Sequence, residues 1–157
     1  MIENLDNMIS ISIQNCFYNK KLMIEIMRMI SYPFDPKFII IVLILYCYDI
    51  VTIDQLYIIL FSFILLLLIK NIVRRARPYN NININKYYDN HYLDPYSFPS
   101  GHTLLSYIFA TIIYKKFNVN IMWLPYLVGF SRVYLGLHYM TDVIGGLIIG
   151  HIISKYL

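Results

Sequence analysis

Residues 50–69 form a run of twenty positions whose main polar interruptions, Thr52, Asp54 and Gln55, fall in its first turns. A helix rises about 1.5 Å per residue, so this run reaches about 30 Å, the thickness of a bilayer's hydrocarbon core. Its composition restricts the chain further. Of 157 residues, 59% are hydrophobic and 14% charged, against about 45–50% and 25% in a soluble globular domain. The apolar residues come in blocks rather than alternating with polar faces, which argues against a soluble helical protein with one large apolar interface.

Four more apolar blocks, residues 38–48, 101–117, 121–137 and 141–154, predict further crossings. The first reaches spanning length only if it starts near Tyr32 or Pro33. A tight turn near Asp49 would join it to the second as a helical hairpin. Trp123 suits an interfacial position, and Gly145, Gly146 and Gly150 permit close helix contact. Residues 1–36 read as an amphipathic segment. Leu22, Met23, Ile26, Met27 and Ile30 recur at helical spacing among Lys20, Lys21, Glu25 and Arg28, which predicts a helix lying in the interface. The chain begins without the basic, apolar, small-residue order of a secretory signal. The expected fold is all-α: one membrane-embedded domain over residues 1–157, a helical bundle of about five spans. Residues 70–98 form a polar, basic, tyrosine-rich loop.

The net charge is +4. No basic helix or zinc-finger spacing accompanies it, so the expected partners are the bilayer's anionic lipid headgroups or a phosphorylated substrate rather than nucleic acid. Cys16 and Cys47 form no CxxC pair and suggest neither zinc nor a disulfide framework.

With five spans, the 70–98 loop and the turn between residues 137 and 141 fall on one face, and the C-terminus falls on the other. Lys70, Arg74, Arg75, Arg77, His102, Arg132, His138 and Asp142 all gather at that face. Ionisable groups near or within spans usually pair, line a cavity or work, and several cations at one rim favour an anion. Lys70 alone would read as a snorkelling anchor, and Arg77 with Arg74 and Arg75 as a topogenic cluster. Together they form a phosphate clamp. Ser100 can cap the helix that follows, Gly101 leaves its backbone open to a ligand, and free N–H groups at a helix start hold phosphate. His102 can give a proton to a departing alkoxide. His138 and Asp142 stand four apart, one helical turn. The carboxylate can hold one ring nitrogen and leave the other as a neutral nucleophile, while Arg132 neutralises charge on the phosphoryl oxygens.

Three motifs carry a family resemblance: Lys70, six residues, then Arg77-Pro78; Pro99-Ser100-Gly101-His102; and Ser131-Arg132, five residues, His138, three residues, Asp142. In this order they resemble the type 2 phosphatidic acid phosphatase family, related to the vanadium-dependent haloperoxidases, whose soluble branch the composition disfavours. The resemblance implies phosphate binding by Lys70, Arg77, Ser100, Gly101 and Arg132. It implies a phosphohistidine at His138 oriented by Asp142, with His102 as proton donor and then water activator. It implies no metal and no cofactor, and hydrolysis of a lipid or polyprenyl phosphate or pyrophosphate. A phosphotransferase of the same family and a catalytically inactive membrane scaffold or transport component are the alternatives.

Overall fold

A computed structural model describes residues 2–16, 20–35, 38–81 and 95–157. Much of the polar loop, residues 82–94, lies outside the described residues, as does Pro36 of the break after the amphipathic segment. The elements are α1 (Ile2–Asn15), α2 (Lys20–Ser31), a 3-10 turn (Tyr32–Phe34), α3 (Phe38–Cys47), α4 (Ile53–Val73), α5 (Pro78–Asn81), α6 (Gly101–Phe117), α7 (Leu124–Tyr134) and α8 (Met140–Ser154). Among the described residues the fold is all-helical apart from an isolated antiparallel bridge between Ala76 and Tyr96.

Helix α6 is the hub. It packs most closely on α8 and next on α7, and Leu104, Leu105, Ile108 and Ile112 are buried along it. At Gly146 of α8, a Cβ would sit 2.6 Å from the Ser100 carbonyl oxygen. Only a residue without a side chain allows that approach.

The expectation of about five spans is met by length and composition at one helix. Helix α4, with 21 residues, is long and apolar enough to cross a bilayer; α8 is a shorter apolar helix. Helix α3 has 10 residues, because the 3-10 turn at Tyr32–Phe34 separates it from α2 and prevents the earlier start its length required. Helix α7 has 11: it starts with Pro125 in its first turn, and the chain turns at residues 135–139 before α8.

Residues 20–31 of the amphipathic segment form the expected helix, α2, and a second helix, α1, precedes it. Helix α2 packs on α7, while α1 contacts α7 and α8. Met27 is buried with Tyr134, Leu135 and Leu137. On α1 the buried stripe is polar, Asp6, Ser10 and Gln14, while Leu5 and Met8 are exposed. A helix that turns its polar side inward needs polar partners there. Gln14 donates to the Tyr134 carbonyl at 3.1 Å, and Asp6 reaches the site described next.

Candidate active site

The C-terminal end of α4, the N-terminus of α6, the C-terminal end of α7 and the N-terminus of α8 meet at one end of the bundle. Each brings one or more of the polar residues singled out above. Lys70, Arg77, Ser100, His102, Arg132, His138 and Asp142 are all buried there. Arg77 and Arg132 are 1% and 0% exposed, an arrangement that is costly unless polar groups or an anion answer the charge.

Two devices bring the first motif back over the bundle. Arg74 adopts a left-handed conformation (φ 49°) and its N–H closes α4 on the Lys70 carbonyl at 2.9 Å. The strand-like bridge then holds the segment, with the Ser97 N–H donating to the Arg75 carbonyl at 2.8 Å. Lys70 Nζ donates to the Tyr96 carbonyl at 2.7 Å. Arg77 Nη1 donates to the Leu137 carbonyl at 3.0 Å and lies 3.4 Å from His138 Nε2.

Ser100 occupies the N-cap position of α6, as the sequence suggests, but its hydroxyl pairs with Thr103 Oγ1 at 2.9 Å rather than with a backbone N–H. Its own N–H donates to the Asp142 carbonyl at 3.0 Å, joining α6 to α8. At Gly101, a Cβ would meet Leu66 Cδ2 at 2.9 Å. The missing side chain therefore also leaves room for the Leu66 side chain of α4.

His138 does not share a helix with Asp142. It lies in the turn between α7 and α8, where Gly136 takes φ 75° and the Leu137 and His138 N–H groups both donate to the Arg132 carbonyl, at 3.1 and 3.3 Å. This turn brings His138 back over the end of α7. The four-residue spacing still yields a contact: His138 Nδ1 lies 3.5 Å from Asp142 Oδ2. It is an ion-pair distance without hydrogen-bond geometry, and Nδ1 has no hydrogen-bond partner among the described residues. Asp142 Oδ2 instead accepts the Tyr139 N–H at 2.9 Å at the start of α8. Burial first, then the Arg77, Lys70 and Arg132 cations, hold the His138 imidazole well below the ordinary histidine range, so at neutral pH the ring is uncharged.

Sequence reasoning missed four residues that hold these groups. Arg75, read only as part of a basic cluster, donates from Nη1 to Asp142 Oδ1 and Thr141 Oγ1, both at 2.6 Å, and from Nη2 to Asp6 Oδ2 at 2.7 Å. Its guanidinium lies 3.9 Å above the Tyr139 ring, within cation–π range. Asp6 also accepts the Thr141 N–H at 3.1 Å and is hydrogen-bonded to the Thr141 hydroxyl. Ser31 Oγ accepts from Arg132 Nη1 at 3.1 Å. Asp35 Oδ1 lies 2.8 Å from His102 Nε2. The polar stripe of α1 is the one sequence signal that could have pointed to Asp6.

A buried cluster of cations with two histidines thus lies at one end of the helical bundle. Residues 52–157 match the family model described as the PAP2 superfamily, and the chain belongs to that superfamily. Among curated proteins it is similar to an undecaprenyl-diphosphatase of Sulfolobus acidocaldarius, 34% identical over 54% of this chain and 43% of that one. A lipid A 4'-phosphatase of Porphyromonas gingivalis is 36% identical over 39% and 28%. The matched stretches cover less than half the length of these relatives. A transmembrane PAP2-type phosphatidylglycerolphosphate phosphatase of Bacillus subtilis superposes with a TM-score of 0.79 at 23% identity, over 98% of this chain and 83% of that one. LpxE of Aquifex aeolicus gives 0.74 at 21%, over 94% and 90%. At these identities the structural likeness establishes the shared fold.

Proposed function

We propose that the chain is a multi-pass membrane phosphatase that hydrolyses a lipid or polyprenyl phosphate or pyrophosphate through a phosphohistidine at His138, without a metal or cofactor. The observation that carries this is the position of His138 Nε2, uncharged and 3.4 Å from Arg77 Nη1. A phosphoryl oxygen that replaced this contact on the guanidinium would stand beside the Nε2 lone pair, which now faces Arg77. Lys70, Arg132, Ser100 and the Gly101 N–H complete the phosphate-binding set.

In the first half-reaction His138 Nε2 attacks phosphorus, the bond from phosphorus to the lipid oxygen breaks, and His102 protonates the departing oxygen. Asp142, on the Nδ1 side, stabilises the ring as it becomes positively charged. In the second half, His102 takes a proton from water as the water oxygen attacks phosphorus. The P–N bond breaks and inorganic phosphate leaves. The cations answer charge on the phosphoryl oxygens throughout, in a site with little water to screen them.

Outward apolar faces support membrane embedding. Ile144, Ile148 and Ile152 of α8 are exposed at helical spacing, as are Leu60, Ile64 and Leu68 of α4. Helix α6, enclosed by its neighbours, has little need of a lipid-facing stripe. The names of the curated relatives, an undecaprenyl-diphosphatase and a lipid A 4'-phosphatase, agree with a lipid-linked phosphate as substrate.

The test is phosphate release by the purified protein in detergent with chelator present, across phosphatidic acid, phosphatidylglycerol phosphate and polyprenyl phosphates and pyrophosphates. At least one should be turned over, and His138→Ala should reduce that turnover to background. Full activity of His138→Ala would sink the mechanism; activity only after metal is restored would sink its metal independence.

A further inference from the structure

We propose that Asp35 is the positioning residue for His102, fixing which ring nitrogen exchanges a proton with the substrate; this rests on the phosphatase reading above. Asp35 ends the 3-10 turn after α2, where its N–H donates to the Tyr32 carbonyl at 3.2 Å. It lies outside residues 52–157, the stretch matched by the family model. The two residues stand 67 positions apart in the sequence, yet Asp35 Oδ1 and His102 Nε2 meet at 2.8 Å with both residues buried. A buried carboxylate is retained when polar or charged groups answer it, and here one of those groups is a histidine of the candidate site. The same chain segment reaches a second site residue, since Ser31 accepts from Arg132.

The consequence is chemical. With Nε2–H donated to Asp35, Nδ1 is the nitrogen left to work. In the protonated ring, Nδ1–H goes to the lipid oxygen as the P–O bond breaks and the P–N bond forms. The ring that remains is neutral, keeps Nε2–H on Asp35, and presents the Nδ1 lone pair to water in the second half-reaction. The carboxylate thus holds one tautomer through both proton transfers, and neither step requires the ring to turn. An amide at position 35 can donate to Nε2 instead and favours the wrong tautomer.

The experiment compares kcat/KM, which reports the first half-reaction, on two substrates in detergent. Phosphatidic acid expels an alkoxide that needs a proton; p-nitrophenyl phosphate expels a stable phenolate that does not. Asp35→Asn should lower kcat/KM for phosphatidic acid by about 10²-fold, within the range of general acid catalysis, and lower it far less for p-nitrophenyl phosphate. Asp35→Glu should recover part of the lipid activity. The p-nitrophenyl phosphate rate doubles as a folding control, and Asp35→Ala should show the same selectivity. An equal loss on both substrates, or no loss on either, overturns the positioning role while leaving the phosphatase reading intact. If the wild type turns over neither these nor any polyprenyl phosphate, the phosphatase reading fails and this inference with it.

Discussion

As the proposed nucleophile, His138 would have to attack from a site crowded with positive charge, and those two demands agree. Burial and the surrounding cations disfavour the imidazolium, so the nucleophilic form is present throughout the neutral range. The sign is definite: a depressed value keeps the ring neutral at pH 6.5 and below, and protonation sets in only as pH falls through that lower value. Histidine-selective NMR of the free protein in detergent should therefore show His138 neutral at pH 6, where an ordinary histidine is mostly charged. Asp142 stands 3.5 Å from Nδ1, and in the proposed mechanism its carboxylate charge would stabilise the ring once phosphorus is bound. Asp142→Asn should lower kcat/KM by about two orders of magnitude, read by phosphate release. The motif residues were legible because their spacing is local and their chemistry distinctive. Their exact surroundings were not. His138 and Asp142 look like one helical turn, but His138 lies in the turn just before α8, and Gly101 also leaves room for Leu66 of α4.

The helices deliver these side chains through contacts that leave no local pattern. Asp6 reaches Thr141 across 135 positions and Arg75 across 69; Asp35 reaches His102 across 67. Nothing in the amphipathic spacing of residues 22–30 announces such partners, and only the buried polar stripe of α1 hints at them. Arg75 joins the first motif, α8 and α1 through Asp142, Thr141 and Asp6. Arg75→Ala should destabilise the protein by about 2–3 kcal/mol, since it strips a charged partner from a fully buried carboxylate; unfolding in detergent checks this. Gly146→Leu should separate α6 from α8 and cost about 1–3 kcal/mol by overpacking, with lower activity because Ser100 sits at that contact.

The all-helical architecture was legible in the apolar blocks, and the convergence of the cations at one end followed from their order. The number of crossings was less so, because block length overestimates helix length wherever a proline, a 3-10 turn or a glycine turn cuts in, as at Tyr32–Phe34 and residues 135–139. Helix α8 runs away from the site for 15 residues, about 22 Å. If the chain crosses five times as the apolar blocks suggest, a reporter fused after Leu157 and one inserted within residues 82–94 should be detected on opposite faces of the membrane.

The central claim is a covalent bond between His138 and phosphorus. Its most direct test is to quench the protein during turnover of a lipid phosphate labelled in its phosphoryl group, at a pH that preserves phosphohistidine, and to map the label by peptide mass spectrometry. The account predicts acid-labile phosphate on the peptide containing His138, absent from His138→Ala. Turnover with the label on another residue, or an equally active His138→Ala protein, would contradict it.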